Sequence, residues 1–252
     1  MSGHSKWHNI KLRKGKADAQ RGALFTKLSK EITLAAKGGV PDPEANSRLK
    51  LAIERAREHN MPHENVKRAI ARGSGAEEGR EIEEIRYEGY GPAGIAVIAD
   101  AATDNRNRTA ADLRHLFSRH GGALGESGSV GWMFEPRGLV EVDNGAFDED
   151  GLLEAALVDG VVDVRFDEGE AEGRSLVVTE AGSLASARDA LAAGGLRVRA
   201  AVLGVVARQT VAPDAEHVRA LLAFLDALEE HEDVQRVYTN AQLDLAQLEA
   251  LA

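Results

Sequence analysis

The run Leu139-Val-Glu-Val142, Glu149-Asp-Gly-Leu-Leu-Glu-Ala-Ala-Leu-Val158, Val161-Val-Asp-Val-Arg-Phe166, Ser175-Leu-Val-Val178, Ser183-Leu-Ala-Ser-Ala-Arg-Asp-Ala-Leu-Ala-Ala193 and Leu196 to Val206 decides the fold. Its apolar residues switch from the two-residue period of a strand to the 3.6-residue period of a helix and back, twice. The order is βαββαβ, the split pattern of a ferredoxin-like sandwich. Downstream, a strand is expected near Val206 to Val211. Pro213-Asp214 opens a helix with Val218, Leu221, Leu222, Leu225 and Leu228 inward, and a strand follows at Val234 to Tyr238.

Upstream, Ile85 and Tyr87, then Ile95 and Val97, flank the turn Gly89 to Gly94 and predict a hairpin. Thr103-Asp104-Asn105 caps a helix over Arg106 to His120, with Ala110, Leu113, Leu116 and Phe117 inward. The final helix and strand then complete the sheet begun at Ile85. The expected layout is discontinuous, with residues 83–136 and 206–240 forming one α+β domain, residues 137–205 inserted in it, and a tail over 241–252.

The first 75 residues read differently. Leu24, Leu28, Ile32 and Ala35 lie on one arc of a helix running to Lys37, and Lys27, Lys30 and Lys37 lie roughly opposite, one face for a core and the other for an anion. Gly38-Gly39 ends that helix, and Asp42-Pro43 starts a second carrying Ala45, Leu49, Ala52, Ile53 and Ala56. Pro62 opens a third with Val66, Ala69 and Ile70 inward and Lys67, Arg68 and Arg72 on its other sides, ended by Gly73. The second and third helices, joined by Asn60-Met61, also have the outline of a helix-turn-helix, an arrangement common in any small bundle. Residues 74–83 lack apolar periodicity and read as a linker.

Charge divides the chain at the same place. Residues 1–75 carry 16 basic and 7 acidic side chains and residues 76–252 carry 15 and 34, so +9 faces −19 in a protein of net charge −10. All nine lysines lie at or before Lys67. A segment this basic suits a polyanion, and lysine and arginine contacts to phosphates are the usual source of sequence-independent affinity. The residues expected at such a surface are Lys6, Lys11, Arg13, Lys14, Lys16, Arg21, Lys27 and Lys30. Trp7, set among them, either packs on Leu12 and Phe25 or stacks on an unpaired base. Arg106 and Arg108, at a helix start beside Asn105 and Asn107, are the one phosphate-suited cluster outside the first domain, with salt bridging to the acidic surface as their other use.

Other chemistries find little support. The chain has no cysteine, which excludes disulfides, thiol nucleophiles and cysteine-based metal centres. His4/His8 and His59/His63 have i,i+4 spacing, but Pro62 interrupts the second pair and neither has a clear third ligand, so no metal or other cofactor is expected. The glycines from Gly121 to Gly131 lack the Lys-Ser/Thr ending of a phosphate loop. A metal-dependent nuclease would draw on Glu88, Asp100 or Asp104, which requires those carboxylates to converge. No apolar stretch resembles a signal peptide or approaches a membrane span, so the cytoplasm is the expected address. Composition is silent on oligomeric state.

Gly3-His-Ser-Lys-Trp7 with Ile10-Lys11, Phe25-Thr-Lys-Leu-Ser-Lys-Glu-Ile32, Tyr87-Glu-Gly-Tyr-Gly-Pro92, Thr103-Asp-Asn-Arg-Asn-Arg-Thr109 and Gly128-Ser-Val130 with Trp132 resemble the YebC/PmpR family. The motifs are ordered along nearly the whole chain. The resemblance implies an α+β, multidomain fold, an N-terminal three-helix domain followed by two ferredoxin-like α+β domains, one inserted in the other, with no recognised catalytic centre. It implies two roles: a DNA-binding transcriptional regulator, or a factor acting on the ribosome, as in mitochondrial relatives that activate translation of a cytochrome oxidase subunit. Nucleic acid, DNA or ribosomal RNA, is the expected partner, with ribosomal proteins a second class for the acidic domains.

Overall fold

The computed structural model describes residues 19–77, 79–169 and 173–243, with the side chains of residues 19–21 excepted. These residues fall into two compact units, 19–129 with 223–237, and 130–222 with 238–243.

The first unit begins with three helices, α1 (Ala19–Lys37), α2 (Ser47–Glu58) and α3 (His63–Gly73). The apolar arcs meet as their periodicity requires. Leu28, Ile32, Ala35 and Ala36 of α1 enclose a core with Leu49, Ala52, Ile53 and Ala56 of α2, Met61 of the turn, and Val66 and Ala69 of α3. Two details depart from expectation. Helix α1 starts earlier than Leu24, and α2 starts later than Pro43, because Asn46 is its cap. Asn46 Oδ1 accepts from the Leu49 N–H at 3.0 Å, and its amide donates to Ala35 O and Val40 O, so one side chain caps α2 and ties it to the end of α1. Asp42 instead accepts from the Glu44 N–H in a local turn.

Strands β1 (Glu83–Tyr90) and β2 (Ala96–Thr103) form the expected antiparallel hairpin, from Glu83 opposite Thr103 to Tyr90 opposite Ala96. Helix α4 (Arg106–Arg119) is capped by Asn105, which accepts from the Arg108 N–H. The two-residue β3 (Ala123–Leu124) pairs antiparallel with β1. With β8 (Val234–Thr239) the sheet order is β3-β1-β2-β8. Strand β2 is therefore central, and its small residues are buried on nearly every position. Phe117 of α4 packs edge-on to Phe224, ring centroids 4.8 Å apart.

The second unit follows βαββαβ: β4 (Phe134–Asp143), α5 (Glu149–Ala155), β5 (Val161–Arg165), β6 (Arg174–Glu180), α6 (Leu184–Ala193) and β7 (Arg197–Ala207). The sheet order β5-β6-β4-β7 puts the two most buried strands in the middle, every pairing antiparallel. Val140, Val142 and Val177 of the sheet are buried with Leu152 of α5 and Leu191 of α6. This is the ferredoxin-like order, whereas the first sheet is reached by a ββαβαβ path. Helix α5 stops short of Val158 because the chain tightens there, Leu157 N–H bonding to Glu154 O and Val158 N–H to Ala156 O, before Gly160 turns at φ 83°. Residues 208–211 are not a strand. Val211 makes one isolated bridge to Ala241, its N–H bonded to Asn240 O and its carbonyl to the Gln242 N–H. Helix α7 (Ala215–Glu230) carries the expected Val218, Leu221, Leu222, Leu225 and Leu228 buried. No helix among the described residues is long and apolar enough to cross a membrane.

Glycines in the first unit separate packing from propensity. A Cβ on Gly89 would lie 2.5 Å from Ala123 O and 2.6 Å from the Phe117 ring, while one on Gly22 in α1 meets nothing within 4 Å. Chemical denaturation of Gly89→Ala should show a loss of about 1–3 kcal/mol from overpacking. Gly22→Ala should gain about 0.5–1 kcal/mol, as expected for an open helix position.

Candidate functional site

Asp233, in the turn between α7 and β8, has a fully buried side chain. Its carboxylate receives Lys30 of α1, Arg108 Nη2 of α4 at 3.0 and 3.2 Å, and the Thr109 hydroxyl at 2.7 Å. Its backbone joins in, the carbonyl accepting from Ala102 of β2 and the N–H donating to His231 Nδ1. The first turn of α4 adds its positive dipole end. Burial alone would raise the carboxyl's pKa, but the hydrogen bonds from Lys30, Thr109 and Arg108 outweigh it and hold it below its ordinary 3.8. Reciprocally, the hydrogen bond to Asp233 raises the Arg108 pKa against the opposing effect of burial.

Beside this cluster lies an open cavity of about 560 Å³. Lys30, Arg68, Arg72, Arg80 and Arg108 line it, against the carboxylates of Asp104 and Glu232. Phe25, Met61, Ala69 and Ile82 supply apolar wall. Helix α3 presents Arg68 and Arg72 on one face because they are four residues apart. Arg68 bonds the Asn65 side chain at 2.6 Å, and neither arginine has a carboxylate within ion-pair distance among the described residues. Arg80 stands 3.9 Å from Asp104 and is 75% exposed. The site thus keeps cations in excess at its mouth.

The sequence-predicted residues are distributed unevenly. Lys6, Trp7, Lys11, Arg13, Lys14 and Lys16 lie outside the described residues, as does the side chain of Arg21, whose backbone is in α1. Lys27 donates to the Glu229 backbone carbonyl and Lys30 to the Asp233 carboxylate, so the face of α1 expected to meet an external anion meets acceptors supplied by the chain. Lys37 likewise pairs with Glu81 at 2.6 Å. Arg106 is 69% exposed, 4.0 Å from Glu83, while Arg108 is held by Asp233 and Asp104. Sequence reasoning missed Asp233, Phe25 as a cavity wall, and Arg68, Arg72 and Arg80 as a group. The i,i+4 spacing of Arg68 and Arg72 was the available signal.

The carboxylates weighed for nuclease chemistry do not converge. Asp100 is held by Arg86 through two bonds of 2.7 and 2.8 Å, Asp104 by Arg108, and the buried Glu88 accepts from the Gly128 N–H at 2.9 Å. That last bond also explains the glycine-rich passage, which folds against β1, Gly125 N–H bonding to Glu88 O. Asp214, Glu216 and His217 lie close together at the start of α7, the two carboxylates exposed and the histidine half-buried.

Comparison with known proteins bears on this fold as a whole. Residues 5–76 match the TACO1/YebC protein N-terminal domain, and residues 82–241 match the TACO1/YebC second and third domain. The chain belongs to the YebC family. A relative in Chlorobaculum tepidum, named a probable transcriptional regulatory protein, is 50% identical over 243 residues, 96% of each chain. A protein of the same description in Pelotomaculum thermopropionicum is 47% identical, over 97% of this chain and 100% of that one. The crystal structure of a conserved hypothetical protein from Aquifex aeolicus superposes on this YebC-family chain with a TM-score of 0.82 at 43% identity, covering 91% of this chain and 93% of that one.

Removing the buried carboxylate tests the cluster. Asp233→Asn should lower the free energy of unfolding by about 3 kcal/mol, because it strands Lys30 and Arg108 against a neutral group. A group whose folded pKa is depressed stabilises above its unfolded pKa and loses that contribution as pH falls through the folded value. The gap in Tm between wild type and Asp233→Asn should therefore be full at neutral pH and close only under pH 3.8.

Proposed function

We propose that this chain is a non-catalytic nucleic-acid-binding regulator of gene expression acting in the cytoplasm, a DNA-binding transcriptional regulator of the YebC type. The observation that carries the reading is the charge of +9 held by residues 1–75 in a chain of net −10. A basic helical head on an acidic body concentrates affinity for phosphodiesters in one region and repels them elsewhere. The names of the relatives, probable transcriptional regulatory proteins, support the same class.

Lys6, Lys11, Arg13, Lys14 and Lys16 are the proposed phosphate contacts of the N-terminal segment, with Trp7 anchoring the segment or stacking on a base. The exposed Arg57, Arg68, Arg72 and Arg106 extend this surface on the described residues. Lys27, Lys30 and Arg108 serve it indirectly, since their partners within the chain fix the helices that carry the rest. Bond-making chemistry is not part of the proposal, consistent with the structural engagement of Glu88, Asp100 and Asp104. The −19 of residues 76–252 favours a second reading, a translation factor that meets ribosomal RNA with its head and basic ribosomal proteins with its body.

With about six phosphate contacts, affinity for a nucleic-acid duplex or strand should fall roughly 10³-fold or more between 50 and 200 mM salt. Replacing Lys11, Arg13, Lys14 and Lys16 together by glutamate should abolish binding and leave the circular dichroism spectrum unchanged. Salt-insensitive binding, or binding unaltered in that variant, overturns the reading. Crosslinking in cells with sequencing of recovered DNA and RNA separates its two forms: promoters without ribosomal RNA indicate transcription, and the reverse indicates translation.

A further inference from the structure

We propose that the arginine-lined cavity of the first unit is a binding site for a single nucleotide, its phosphate held by Arg68, Arg72 and Arg80 and its base laid against Phe25 and Met61. The volume of about 560 Å³ lies within the range of about 300–1,000 Å³ typical of small-ligand sites. Its two kinds of wall are what distinguishes it from a generally basic surface.

Consider the polar wall first. Of the five cations, Lys30 and Arg108 are committed to Asp233 and so are fixed in place. Arg68 and Arg72 face each other at i,i+4 on α3, a like-charge spacing that is mildly destabilising in a helix unless something opposes it. No ion pair does so among the described residues, and Arg80 reaches its carboxylate, Asp104, only at 3.9 Å. Asp104 itself is occupied by Arg108 at 3.2 Å, which leaves Glu232 as the other carboxylate of the lining. A dianionic phosphate between three guanidinium groups relieves the repulsion and accepts charge-assisted hydrogen bonds from planar donors suited to it.

The apolar wall gives the ligand its second half. Phe25 is half-buried, packed against the three-helix core, so its ring is pre-positioned rather than free to rotate away. Met61 is buried beside it in the turn between α2 and α3. An aromatic ring stacks on any base with little regard to sequence, and a methionine adapts to the remaining surface. Inorganic phosphate uses only the first wall and a nucleoside only the second; a nucleotide uses both. The nucleotide comes either from the free pool or from an unpaired position of a strand. The second source rests on the nucleic-acid reading of the chain, and the first stands without it.

The test is calorimetric titration of the full chain with adenosine 5′-monophosphate, adenosine, inorganic phosphate and a single-stranded oligonucleotide. Wild type should bind the monophosphate about tenfold or more tightly than phosphate or adenosine. The variant Arg68→Glu with Arg72→Glu, both on an exposed helix face, should weaken it by about tenfold or more with Tm unchanged. Phe25→Leu should bring its affinity down to that of inorganic phosphate. If the monophosphate is silent while the oligonucleotide binds and is weakened to the same extent by both variants, the strand is the source and the assignment holds. If the monophosphate binds and the oligonucleotide does not, the free nucleotide is the ligand, and only the nucleic-acid reading falls. The assignment is overturned if inorganic phosphate binds as tightly as the monophosphate, if neither nucleotide probe is bound, or if the double variant binds both as wild type does.

Discussion

The first unit depends on one buried carboxylate. Asp233 gathers Lys30 from α1, Arg108 and Thr109 from α4, and the backbone of β2 onto a single turn, joining segments more than 120 residues apart in the chain. A buried ion cluster of this kind contributes little net stability compared with a well-packed apolar one, since desolvation offsets most of the attraction. Its value is orientational. An apolar patch tolerates sliding, whereas a carboxylate with three specific donors accepts α1, α4 and the start of β8 in one arrangement.

That arrangement determines which basic residues remain for outside partners. Lys30 sits inside the cluster with its side chain 12% exposed, and Lys27 is drawn to the neighbouring Glu229 carbonyl. The positive charge left at the surface of the first unit includes arginines of α2, α3 and α4, among them Arg57, Arg68, Arg72 and Arg106. Arginine is weakly hydrated and planar, and so suited to phosphate and to stacking, while the lysines of α1 act as point charges within the fold.

Much of the architecture was legible in the residues themselves. The apolar arcs of α1, α2 and α3, the hairpin about Gly89 to Gly94, the Asn105 cap and the βαββαβ alternation are local signals, and the structure carries each of them. Boundaries were less legible where two local signals competed. Asp42-Pro43 offers a good helix start, yet Asn46 wins because its amide also reaches Ala35 O and Val40 O, contacts visible only once α1 is in place. Residues 208–211 look like a strand, but their bonding partner is a short segment near Ala241 that provides one bridge and no ladder.

The sequence by itself determined the element types, the family, and the separation of a basic head from an acidic body, because periodicity, caps and charge are properties of neighbours along the chain. Only the tertiary structure decided what the charges do. Nothing in His231-Glu232-Asp233 marks the third residue as the anchor of α1, and nothing local distinguishes Lys30, neutralised from within, from Arg72, left facing solvent. Ion pairing is a matter of distance in space, and which cation finds a carboxylate is settled when helices remote in sequence pack together.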